Sequence, residues 1–163
     1  MLCRVYNVLV VGDPGVGKTT FIKTMKMNPF NETYEPTFGI DIQGLKYRTE
    51  KPVIFNFWDT AGKEKYKETH MQYDNRVDAA IIMFSMTNKE SFTGASFWSN
   101  RIIKSLGYHV PVVFLGNKTD CIRRNLFYST TMKNVKYFTT SAKTGENYDA
   151  ILKHLIETIP AKN

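Results

Sequence analysis

Apolar runs alternate along the chain with polar stretches and with apolar residues at helical spacing. Strand-like runs fall near 5–11, 39–47, 52–58, 79–85, 111–116 and 135–139, and helical stretches near 17–27, 64–74, 88–106, 125–132 and 146–159. That alternation predicts an α/β domain whose mostly parallel sheet is covered by helices on both faces. The polar, sharply punctuated stretch from Lys46 to Pro52 predicts a hairpin between the second and third strands. The expectation is therefore a six-stranded sheet with one antiparallel edge strand. Ligands of such sheets bind beyond the carboxyl ends of the strands. Polar motifs at 12–19, 59–62, 117–120 and 141–143 each lie just after a predicted strand, so they should converge on one rim.

The first of these motifs follows directly on Val8-Leu9-Val10-Val11. Gly12-Asp13-Pro14-Gly15-Val16-Gly17-Lys18-Thr19 fits the pattern G-x-x-x-x-G-K-[ST] of a phosphate-binding loop. Small residues there let successive backbone N–H groups turn inward around a diphosphate, while Lys18 reaches the outer phosphates and the Thr19 hydroxyl ligates Mg²⁺. Thr20-Phe21-Ile22-Lys23-Thr24-Met25 continues as a helix whose N-terminus faces the anion. Asp13, Pro14, Gly15, Val16, Gly17, Lys18, Thr19 and Thr20 are the candidate phosphate contacts. A glycine-rich turn carrying a stray lysine is the plain alternative, and strand, loop and helix in the required order argue against it.

Asn117-Lys118-Thr119-Asp120 follows another apolar run, Val112-Val113-Phe114-Leu115, and bears on the base. A carboxylate has two acceptors, and guanine presents two adjacent donors, so Asp120 can pair with it bidentately. Adenine offers an acceptor at the corresponding ring nitrogen and leaves the carboxylate unsatisfied, at a cost of about 1–3 kcal/mol or more. Asn117 is expected to tie this strand end to the phosphate loop, and the Lys118 stem to lie along the purine face. Alone, N-K-x-D is a weak signal; behind a phosphate loop it becomes a strong one.

Together with Thr37, Asp59-Thr60-Ala61-Gly62 and Ser141-Ala142-Lys143, these motifs make the chain resemble the Ras superfamily of small GTPases over essentially its whole length. Pro52 to Asp59, Glu64-Lys65-Tyr66 and Ala80 to Phe84 resemble the Ran branch; Thr37-Phe38-Gly39-Ile40-Asp41 is closer to the Rab pattern. The resemblance implies one small G domain over 1–163, with the fold of phosphate-loop NTPases, that binds GTP and GDP with Mg²⁺ and converts GTP to GDP and phosphate. It implies effector, exchange-factor and activating proteins as partners and, for a Ran-like chain, transport receptors. It also implies site roles. Asp59 holds Mg²⁺ through a water, while Thr37 joins the metal and the γ-phosphate only in the GTP form, releasing its segment after hydrolysis. Gly62 closes the motif beside the γ-phosphate. Phe30 packs its edge on guanine, Tyr34 covers the phosphates, the Ala142 N–H meets the base carbonyl, and the Lys143 stem completes the pocket.

Two residues depart from the pattern of the superfamily. The position after Asp-x-x-Gly usually holds Gln, whose amide accepts from the attacking water and donates to the transition state; here it holds Lys63. An ammonium has donors only, so water alignment should suffer and hydrolysis should be slow. Pro14 lacks an N–H at a loop position often given to a small residue. Its neighbours Gly15 to Thr19 supply most of the cradling, so nucleotide binding should survive, whereas the ring can crowd an arginine offered by an activating protein.

Composition narrows the alternatives. At 163 residues and 42% hydrophobic content there is chain for one substantial core. No run approaches the ~18 apolar residues of a membrane span, and the C-terminus carries no lipidation cysteine, so no membrane anchor is expected in this chain. Cys3 and Cys121 lack metal-ligand or C-x-x-C spacing and read as reduced thiols. His70, His109 and His154 are scattered and read as structural. The net charge of +7 comes from dispersed lysines without a nucleic-acid motif, so acidic protein partners or plain solvation are expected in place of nucleic acid. A monomer in the cytoplasm, the nucleus or both is the expectation. The competing readings are a GTP-locked, hydrolysis-deficient module for effectors, a Rab-like trafficking GTPase, and, disfavoured by Asp120, an ATPase or kinase.

Overall fold

The computed structural model describes residues 3–27, 31–34, 41–60, 76–122 and 135–161. The elements run β1 (Arg4–Gly12), α1 (Lys18–Lys26), β2 (Asn31–Tyr34), β3 (Ile42–Tyr47), β4 (Val53–Asp59), β5 (Ala79–Ser85), α2 (Lys89–Leu106), β6 (Val112–Asn117), a single 3₁₀ turn at Thr119–Cys121, β7 (Lys136–Thr139) and α3 (Tyr148–Thr158). The predicted helices near 64–74 and 125–132 lie outside the described residues.

The strands form one sheet in the order β2-β3-β4-β1-β5-β6-β7. β4, β1, β5, β6 and β7 run parallel, and β3 runs against them, reached from β4 through the predicted hairpin with Tyr47 opposite Val53. All six predicted strands are present, but the edge differs from expectation. A seventh strand, β2, pairs antiparallel outside β3 from Asn31 opposite Tyr47 to Tyr34 opposite Gly44, so the one reversed strand is not the edge. Its sequence, Asn-Glu-Thr-Tyr, has no apolar alternation, and an edge strand that pairs through its backbone needs none.

Alternation along the strands splits the core between the two faces of the sheet. On β1, Tyr6, Val8 and Val10 face one way and join Phe21, Ile22 and Met25 of α1 with Tyr148, Ile151, Leu152 and Leu155 of α3. Leu9 and Val11 face the other way and join Ala95, Trp98, Ile102 and Leu106 of α2. β5, at the centre, is buried along its whole length. The helices at i, i+3, i+4 spacing thus fix the sheet from both sides, and the carboxyl ends of β1, β4 and β6 stand at one rim.

Candidate functional site

The phosphate loop is shaped by glycines that no other residue can replace. Gly12 has φ +152° and a Cβ there would lie 2.2 Å from the Met83 carbonyl oxygen of β5; Gly17 has φ +101° and a Cβ would lie 2.3 Å from Asn117 Nδ2. Both positions combine a left-handed backbone with contact against a neighbouring strand end. Gly17 leads straight into α1, whose first turn has neither a side-chain cap nor an acidic residue, leaving its N–H donors for an anion. Lys18 is 3% exposed, with Nζ donating to the carbonyls of Gly12 at 2.8 Å and Asp13 at 3.0 Å, so its charge sits under the loop. Thr20, next along, is exposed on the first turn of α1.

On the metal side, Thr19 Oγ1 donates to Asp59 Oδ1 at 3.3 Å. The Thr60 hydroxyl donates to the Val10 carbonyl at 2.6 Å and fixes the end of β4 against β1. A hydroxyl and a carboxylate are the hard oxygen donors Mg²⁺ takes, and Mg²⁺ held on a nucleotide needs only one or two protein groups beside water and phosphate. The pair fits such an ion.

The base side is cross-braced to the loop through Asn117. Its Nδ2 donates to the Val16 carbonyl at 2.8 Å, as expected of the tie, and its Oδ1 accepts from the Ala142 N–H at 2.9 Å. The Ala142 N–H, expected at the base carbonyl, donates here to Asn117, which ties the 141–143 segment to the base motif. Lys118, at φ +69°, sends Nζ back to the Gly15 carbonyl at 2.7 Å, so its stem bridges from the base motif to the phosphate loop. Ser141 Oγ donates to Asp120 Oδ1 at 2.7 Å, and this bond, against the opposing effect of burial and with lesser help from the Cys121 thiol and the Lys143 charge, holds the Asp120 carboxyl below its ordinary range. Asp120 is therefore a fixed, ionised acceptor at the surface of the rim. Lys143 is exposed beside it.

Several supports were not read from the sequence. Thr119 Oγ1 donates to the Glu146 carboxylate, and Thr140 Oγ1 to the Glu146 backbone carbonyl, which together fasten the 117–120 and 141–147 segments. Asp13 turns its side chain out to α2, where Oδ1 accepts from Trp98 Nε1 at 2.9 Å. Gly94 and Trp98 lie four residues apart on one face of α2, and that spacing alone does not point to Asp13. Phe30, Thr37, Gly62 and Lys63 lie outside the described residues; Tyr34 is placed through its backbone in β2 only.

A mostly parallel sheet carrying a phosphate loop at the end of β1 and an oriented carboxylate past β6 defines a nucleotide-binding α/β domain of the phosphate-loop class. The model of the Ras family matches residues 7–161, and the chain belongs to that family. Membership makes it a GTP-binding small GTPase switch, of a family that binds GTP and GDP, generally with Mg²⁺, and answers to regulator and effector proteins.

Proposed function

We propose that this chain is a Ran-like switch that hydrolyses GTP slowly and presents different surfaces in its GTP and GDP forms. The observation that carries the nucleotide reading is the Asp120–Ser141–Ala142–Asn117–Val16 brace, in which Ser141 holds the purine-selecting carboxylate and the next residue, Ala142, is tied through Asn117 to the phosphate loop, by bonds of 2.7–2.9 Å. In this reading the N–H groups of Gly15 to Thr20 and the Lys18 ammonium bind the phosphates. Thr19 and, through a water, Asp59 hold Mg²⁺, which offsets phosphate charge. Phe30, Lys118 and Lys143 enclose guanine, with Asp120 on its paired donors. Thr37, Tyr34 and Gly62 contact the γ-phosphate side, and loss of that phosphate releases them.

Slow hydrolysis rests on Lys63, whose ammonium cannot accept from a water. The second reading, a GTP-locked module that titrates effectors, is favoured by the same residue. The Ran-like assignment rests on Pro52 to Asp59 and Ala80 to Phe84, and with it come transport receptors as partners and a cytoplasmic or nuclear location. The whole of 1–163 acts as one G domain, as a monomer.

Single-turnover phosphate release from GTP-loaded protein tests the catalytic part. Lys63→Gln should raise the rate by on the order of tenfold or more, because a water-orienting amide is restored. A wild-type rate already equal to that of the glutamine variant would sink the slow-switch and GTP-locked readings together.

A further inference from the structure

Asp13 is the acidic residue of the phosphate loop, and its main chain and side chain serve opposite sides. The carbonyl accepts from Lys18 Nζ at 3.0 Å and from the Val16 N–H at 3.4 Å, inside the loop. The carboxylate instead lies on α2, where Oδ1 accepts from Trp98 Nε1 at 2.9 Å. At Gly94, one turn earlier on the same face, an added Cβ would stand 2.4 Å from Oδ2 and 2.8 Å from Cγ. A glycine inside a helix is unfavourable relative to alanine, and here the missing side chain leaves the space the carboxylate fills. Trp98 is 3% exposed, so its indole N–H is fixed by the core of that face.

A carboxylate loose beside bound polyphosphate would repel it, and the repulsion would be strong where protein displaces water. We propose that Trp98 and Gly94 are positioning residues that hold the Asp13 charge out of the phosphate cradle, so that polyphosphate affinity is set in part by α2. The proposal rests on the guanine-nucleotide reading above. Charge exclusion, unlike simple packing, is felt more by a ligand with more phosphate charge, and it disappears when the charge is removed.

Competition against fluorescent GDP with Mg²⁺ present, using GDP and GMP as competitors, tests this in wild type, Trp98→Phe, Gly94→Ala, and each of these combined with Asp13→Asn. Trp98→Phe should weaken GDP on the order of tenfold and GMP by less than about threefold, because repulsion grows with the phosphate charge. Gly94→Ala should show the same order, and carries the test if Trp98→Phe does not fold. Adding Asp13→Asn should restore GDP affinity to within about threefold, since no charge is left to exclude. Equal losses for GDP and GMP, or losses that Asp13→Asn does not repair, would mean a merely structural role and overturn the proposal. Unchanged GDP binding in both single variants overturns it alone, whereas a wild-type chain that binds no GDP overturns the nucleotide reading as well.

Discussion

Pro14 shows how a residue that looks disruptive in the sequence becomes ordinary in its local geometry. Asp13 O accepts from the Val16 N–H at 3.4 Å and Gly15 has φ +78°, the signature of a type II turn with proline at its second position and glycine at its third. Proline there pre-sets the backbone and its missing N–H is not called on by the turn. Pro14→Gly should thus lower stability by about 0.4–1 kcal/mol through a looser unfolded chain, a drop of about 2–4 °C per kcal/mol in thermal melts. An unchanged or raised midpoint would show that the ring is strained in the loop. At the same scale, Gly12, Gly17, Lys18 and Asn117 were legible because each has a fixed place in a local motif. The Trp98–Asp13 bond was not, since it joins residues 85 apart in sequence and only packing brings them together.

Among the elements, β3 and α3 are linked by a polar contact in which the buried Tyr47 hydroxyl donates to the Asp149 carboxylate, itself paired with Lys153 at 2.7 Å. Burial first, and then the bond to Asp149, pushes the Tyr47 hydroxyl up from 10.0 to about 12. Lys153 first, and then Tyr47, lowers Asp149 from 3.8. The signs differ. The Tyr47 contribution is whole below pH 10 and lost as pH rises through about 12, whereas that of Asp149 is present above pH 3.8 and lost as pH falls through its lowered value. Tyr47→Phe should cost about 1–2 kcal/mol at pH 7, and the gap to wild type in thermal melts should shrink once Asp149 is protonated well below pH 3.8. A gap that persists unchanged at that acidity would assign the loss to packing. Strand and helix positions were legible here from apolar spacing; β2 was not, because its pairing with β3 is a backbone property.

Across the whole molecule, the phosphate loop at the end of β1, Asp59 at the end of β4 and Asn117 at the end of β6 stand at one rim because parallel strands share a direction and their apolar faces fix their order. That convergence was legible in the sequence, since each polar motif follows a buried run. The bracing was legible only in part: Asn117 reaches Val16 as expected, but its second bond, from the Ala142 N–H, joins residues 25 apart that no linear spacing pairs. The roles assigned to Thr37 and Lys63 come from motif position alone. The central claim is that Asp120, held by Ser141, selects guanine while the loop around Lys18 binds the phosphates. Calorimetric titration of GDP and of ADP, with Mg²⁺, into wild type and Asp120→Ala measures it directly. Wild type should prefer GDP by on the order of 10⁴-fold, because a site built for the guanine donors leaves its carboxylate unpaired against adenine, and Asp120→Ala should abolish most of that preference. Similar affinities for GDP and ADP in wild type, or a preference that survives the loss of Asp120, would contradict it.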